Sequence, residues 1–100
     1  MDGRAIVIDP RDNVATALSD LRAGSLVSVR IGDEERVVRV REDIPFGHKF
    51  ALRRIGEGEA IYKYGEVIGR ATQVIEEGFH VHIHNVESVR GVSKPRGVKG

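Results

Sequence analysis

Three of the four histidines in this 100-residue chain fall in the run His80-Val81-His82-Ile83-His84-Asn85, at a spacing of two. In an extended strand alternate side chains share a face, so the spacing predicts three imidazoles on one face, with Val81 and Ile83 turned toward the core. Imidazole is the commonest protein metal ligand and titrates near neutrality, so the chemistry on offer is metal binding or proton transfer. Same-face neighbours on a strand stand about 6.7 Å apart, a gap that two rings can bridge to hold one ion at about 2.1 Å. The outer pair, His80 and His84, would lie about 13 Å apart at the backbone. His80, His82 and His84 are therefore the candidate metal ligands, of which two share an ion comfortably. A third ligand then comes from His48, from Glu66 or Glu87, or from a partner chain. The plain alternative is an ordinary polar strand face. Crowded imidazoles resist a second positive charge, which keeps a neutral ring available near pH 7 as base or ligand. Asn85 is expected on the opposite face, satisfying backbone at the strand end.

Other polar residues sit beside turns. Lys49 follows Gly47-His48, and Lys63-Tyr64 precede Gly65. A lysine next to a glycine can hold a carboxylate or phosphate as a point charge, which makes Lys49, Lys63 and Tyr64 the candidate substrate contacts. Gly56-Glu57-Gly58 looks like a fragment of a phosphate-cradling loop but lacks the following helix and lysine-serine pair, so no nucleotide site is expected. No serine, histidine and aspartate stand in a nucleophilic motif.

Composition narrows the field further. Sixteen basic and fifteen acidic residues give a formal charge of +1, too balanced to concentrate nucleic acid or an anionic membrane. With five aromatic residues, stacking platforms for bases are also scarce. The absence of cysteine excludes disulfides, thiolate metal sites and cysteine nucleophiles and fits a reducing compartment. The apolar stretch Ala5 to Ile8 ends at Asp9-Pro10, too early for a signal segment or a membrane span. A soluble cytoplasmic protein of one small domain is expected.

The elements that position these residues are short. Ala5 to Ile8 reads as a strand stopped by Pro10. A helix is expected next, capped by Asp12 or Asn13, with Val14, Leu18 and Leu21 on one stripe and Gly24 at its end. From Leu26 the period changes to two, giving a hairpin of Leu26 to Ile31 and Arg36 to Arg41 about Gly32-Asp33-Glu34. Asp43 to Gly47 reads as a loop, followed by strands at Lys49 to Arg54, Ala60 to Lys63, Val67 to Ala71 and Phe79 to Val86. Thr72 to Glu77 reads equally as a helical turn or a loop, and no internal repeat stands out. The expectation is a mostly β domain over residues 1–87 with one short N-terminal helix, then a flexible basic tail over 88–100 carrying Arg90, Lys94, Arg96 and Lys99.

Together, Asp43-Ile44-Pro45-Phe46-Gly47-His48-Lys49-Phe50-Ala51-Leu52, Ile61-Tyr62-Lys63-Tyr64-Gly65-Glu66-Val67-Ile68-Gly69-Arg70-Ala71 and Gly78-Phe79-His80-Val81-His82-Ile83-His84-Asn85 resemble the amino-terminal SAF domain of the altronate and galactarate dehydratase family. Asp12-Asn13-Val14-Ala15 resembles that family's opening segment, so the resemblance spans about residues 5–87. It implies a β-clip fold and the dehydration of a sugar acid, with a divalent metal, iron(II) or manganese(II), stabilising an enolate. It further implies that His48, His80, His82 and His84 are metal or acid-base contributors and that Lys49 contacts a carboxylate. Enzymes of this family are usually much longer, so the expected partner is a separate large catalytic subunit, and the isolated chain is expected to be inactive. A homo-oligomer is left open. Two further readings stand beside this one: the small subunit of a sulfolactate sulfo-lyase, which eliminates sulfite, and a noncatalytic module for sugar-acid binding or assembly.

Overall fold

The computed structural model describes residues 2–88. The expected basic tail lies outside the described residues except for Ser88, which belongs to the last strand. Nine strands make up the regular structure of the described residues: β1 Gly3–Val7, β2 Val14–Ala17, β3 Leu26–Ile31, β4 Glu34–Arg39, β5 Lys49–Ala51, β6 Ala60–Lys63, β7 Glu66–Ala71, β8 His80–Val81 and β9 Val86–Ser88. Six of them form one sheet in the order β4-β3-β1-β2-β5-β8, and three form a second in the order β6-β7-β9.

The expected N-terminal helix is absent: Val14–Ala17 is strand β2, paired with β1 on one side and β5 on the other. The cause is burial on both faces. Ala15 and Ala17 pack into a core with Val27, Val29, Ile44 and Phe50, whereas Val14 faces a second core with Ala51, Ile55, Ile61 and Val81. A doubly buried strand loses the alternation by which strands are recognised. The apparent stripe of Val14, Leu18 and Leu21 is therefore split, with Val14 in one core, Leu21 in the other and Leu18 exposed. The capping residues are reassigned as well. Asn13 Nδ2 donates to the Ala60 carbonyl and its Oδ1 accepts from Tyr62 N–H, while the Asp12 carboxylate accepts from the N–H groups of Tyr64 and Gly65. Both side chains are buried and fasten the β6–β7 hairpin instead of a helix.

An internal repeat is present, contrary to expectation. The sequences Leu21-Arg22-Ala23-Gly24, Ile44-Pro45-Phe46-Gly47, Ile55-Gly56-Glu57-Gly58 and Ile75-Glu76-Glu77-Gly78 adopt one turn, each ending in a glycine with φ between 83° and 89°. Glycine occupies this left-handed region without the steric cost that a Cβ imposes. The branched residues pair across the turns, Leu21 with Ile44 and Ile55 with Ile75. The glycine amides bond in matching pairs: Gly24 and Gly58 to the carbonyls of Val40 and Ala71, and Gly47 and Gly78 to those of Ala17 and Ala51. The chain thus runs strand, turn, hairpin, turn, strand twice, with β5 ending the first pass and beginning the second.

A histidine-lined candidate active site

The second pass delivers the histidines. β5 and β8 are antiparallel with Lys49 opposite Val81 and Phe50 opposite His80, a register that brings His48 opposite His82. The ring centroids of His48 and His82 are 4.4 Å apart, those of His48 and His80 5.1 Å, and those of His80 and His82 5.3 Å. His48 Nδ1 and His80 Nε2 are 2.9 Å apart, so one of these nitrogens carries the shared proton and the other accepts it. In this trio one nitrogen from each of His48, His80 and His82 lies within 4.8 Å of the others.

The strand does not continue to Asn85. After His82 the chain turns: Asn85 N–H bonds back to the His82 carbonyl, and the Asn85 side chain accepts from His82 N–H and donates to the His80 carbonyl. Asn85 is buried and satisfies backbone, as expected, but it does so inside a turn. The turn corrects two expectations. Val81 is buried, whereas Ile83 is 84 % exposed rather than in the core. His84, swung around by the turn, is exposed and stands with its ring 5.4 Å from that of His80, tilted by 40°. The structure thus gathers His48, His80 and His82 into one group, with His84 at its margin.

Electrostatics disfavour the charged forms of His80 and His82. Burial, followed by the neighbouring His48, His82 and His84, pushes the His80 pKa below the usual imidazole value, with Glu42 opposing. His82 is likewise lowered, by burial and then by His48, Lys49 and His84. Glu42 was not singled out in the sequence. Its Oε1 accepts from His80 N–H at 2.9 Å, across 38 residues, and a glutamate between Arg41 and Asp43 carries no local signal of that role.

Lys49 is half-buried, and its pKa is lowered by burial and then by Lys63. Lys63 Nζ lies 5.0 Å from the centroid of the Tyr64 ring. Tyr64 itself has φ +59° in a two-residue hairpin turn with Gly65 at +74°, a conformation uncommon for a tyrosine. Asp12 holds that turn. Lys49 and Lys63 are therefore drawn into electrostatic contact beside the histidines, and Tyr64 follows on the exposed turn.

Three half-buried imidazoles suit a divalent transition metal. Two nitrogens bound tetrahedrally to one ion at about 2.1 Å stand about 3.4 Å apart, so closing on one would draw in the more distant nitrogens by on the order of an ångström and open the 2.9 Å His48–His80 contact with loss of its shared proton.

The site and scaffold together define a twice-repeated β domain that presents a cluster of histidines next to two lysines. Residues 3–89 match the altronate/galactarate dehydratase SAF domain, and the chain belongs to that family. It is 46 % identical over 83 residues to altronate dehydratase of Escherichia coli K12, covering 83 % of this chain and 16 % of that protein. It is 38 % identical over 88 residues to (2R)-sulfolactate sulfo-lyase subunit alpha of Chromohalobacter salexigens, covering 85 % of this chain and 94 % of that protein. With galactarate dehydratase (L-threo-forming) of Escherichia coli K12 the identity is 40 % over 75 residues, covering 73 % of this chain and 13 % of that protein. The chain thus spans less than a fifth of these dehydratases and nearly all of the sulfo-lyase subunit. Among the described residues no helix is long and apolar enough to cross a membrane.

Proposed function

We propose that this domain supplies one wall of the active site of a sugar-acid dehydratase, completed by a large dehydratase-type catalytic chain. The supporting observation is the convergence of His48, His80 and His82 from two strands within 4.8 Å, next to the half-buried Lys49. Removing a proton α to a carboxylate and expelling the β-hydroxyl needs charge stabilisation at the carboxylate, a base and an acid. A divalent metal, iron(II) or manganese(II), would supply Lewis-acid stabilisation of the enolate, and the all-nitrogen donor set suits iron(II) better. His48, His80 and His82 would hold it. Lys49, backed by Lys63, orients the substrate carboxylate as a point charge, with Tyr64 at the edge of that lysine pair. His84, exposed beside His80, is placed to pass a proton to the departing hydroxyl.

His84 and Ile83 at the edge of the wall are exposed, and the isolated chain is expected to turn over nothing. The test is an assay with altronate and iron(II), with and without a dehydratase-type large chain. Turnover only in the complex, lost in His82→Ala, supports the reading; full turnover by the isolated chain sinks the shared site. The sulfo-lyase reading is favoured by one observation, the 94 % coverage of the alpha subunit. It predicts release of sulfite from sulfolactate in the same assay.

A further inference from the structure

The histidine group stands between two clefts of about 220 Å³ each, and they differ in chemistry. One is lined by Lys49, Ile61, Ile68, Val81, His82 and Ile83. Its cationic group is the half-buried Lys49 ammonium. The other is lined by Glu42, Gln73, Glu76, Phe79, His84 and Asn85. It offers the Glu42 carboxylate, the Glu76 carboxylate paired with Arg54 at 3.5 Å, and the Gln73 amide, Asn85 being engaged by backbone; the Arg41 guanidinium lies 6.0 Å from the Phe79 ring. His82 borders the first cleft and His84 the second, and the His80 ring sits between them, 5.3 Å from one and 5.4 Å from the other.

We infer that the site binds a polyhydroxy acid end to end, with its carboxylate in the Lys49 cleft and its hydroxylated tail in the Glu42–Gln73 cleft, and that Glu42 determines specificity by rejecting a second anionic group. This inference rests on the sugar-acid reading above. An ammonium in an apolar recess holds one carboxylate but offers nothing to a chain of hydroxyls. Hydroxyls donate well to carboxylate oxygens, and such charge-assisted bonds are about twice as strong as neutral ones. Glu42, bonded to the His80 N–H, also repels a sulfonate that ends over the histidines beside it, so the attraction for one ligand is discrimination against the other. Glu42 is fixed for this role, since one of its oxygens is already engaged by the His80 N–H and cannot swing away without releasing it. A three-carbon acid anchored at Lys49 ends over the histidines; a six-carbon acid continues into the second cleft.

The experiment is a titration of the isotopically labelled full chain, followed by amide chemical shifts, with acetate, sulfolactate and altronate in turn. Acetate and sulfolactate are expected to move the amides of Lys49, Val81 and His82, and altronate to move those and Gln73, Glu76 and Phe79. In Glu42→Gln, which keeps an acceptor for His80 N–H, sulfolactate should gain affinity severalfold relative to altronate while the His80 amide shift of the free protein stays in place. Altronate shifts confined to the Lys49 side, or equal sulfolactate shifts at Gln73, or an unchanged affinity ratio in Glu42→Gln, would overturn the end-to-end inference and leave the sugar-acid reading standing. No response of the Lys49 and His82 amides to any of the three acids overturns both.

Discussion

Between β2 and β5 the chain passes through the Leu21 turn, the β3–β4 hairpin and the Ile44 turn; between β5 and β8 it passes through the Ile55 turn, the β6–β7 hairpin and the Ile75 turn. The backbone bonds of the two passes match almost one for one. Their surroundings do not. The first hairpin is built into the six-stranded sheet by parallel pairing of β3 with β1, whereas the second forms its own sheet with β9. The residues that follow the four turn glycines are Ser25, His48, Glu59 and Phe79. Histidines appear only where the first pass ends and the second ends, in and beside the adjacent strands β5 and β8. The scaffold is thus indifferent to chemistry, and the site arises because β5 is shared: its neighbour β8 completes a face that neither pass forms alone.

The comparison is most sharply tested at the turn glycines. A Cβ on Gly24 meets nothing within 4 Å, but on Gly78 it runs into the Arg39 carbonyl and the Arg41 side chain. Gly24→Ala should therefore cost only the left-handed penalty of about 1–2 kcal/mol, and Gly78→Ala more than about 4 kcal/mol. Denaturant midpoints of the two variants give the answer; equal losses would mean that the Gly78 turn is no more constrained than the Gly24 turn. The hairpins come next. Asp12→Ala removes the acceptor for both turn amides of β6–β7 and should cost about 3 kcal/mol, since hydrogen bonds to a charged group each contribute about 1.5–3 kcal/mol. Asp33→Ala, in the β3–β4 turn, should stay within about 0.5 kcal/mol. Asp9 and Arg11, paired at 3.0 Å beside the Asp12 segment with the arginine exposed and the aspartate partly so, add little.

Smaller effects separate the histidines. Cobalt(II) titration should show His48→Ala, His80→Ala and His82→Ala each weakening binding by at least about tenfold, as loss of even an outer-shell partner does. His84→Ala should change it less; an equal loss would make His84 a full ligand. The smallest effect is the pH dependence. Because the His80 and His82 pKa values are lowered on folding, the unfolded chain binds more protons below the ordinary histidine value. Their neutral-state stability is complete above about pH 6.5 and declines as pH falls from there toward the lowered values. Unfolding midpoints at pH 7.5 and 5.5 should converge in a His80→Asn, His82→Asn double variant, with no such change for Asp33→Ala in the β3–β4 turn.

Parts of this arrangement are visible in the sequence and parts are not. Two-residue spacing suffices to bring His80 and His82 together, and the glycine-bearing hairpins announce themselves. β2 is hidden because a strand buried on both faces carries no alternation, whereas β5 is legible as a strand from Lys49 and only its end, at Ala51 rather than Arg54, is not. The repeat is hidden because each turn fixes only a branched aliphatic and a glycine three residues later, types too common to stand out. The turn that exposes Ile83 and redirects His84 depends on Asn85 bonding backbone on both sides, and Glu42 reaches His80 from a distant segment. These are tertiary choices, and no local pattern encodes them.

β8 has consequences for how the protein breathes. With two residues at the outer edge of its sheet, anchored through Glu42 and Asn85, it has few bonds to lose before the rest of the fold is affected. Segments with few bonds to break open at free energies well below that of global unfolding. The amides of His80 and Val81 should therefore exchange with solvent far sooner than those of the interior strands β1 and β3, and any ligand that bridges β5 to β8 would slow that exchange. Occupancy of the site would then be readable as a local change in protection, with the scaffold beneath it unaltered.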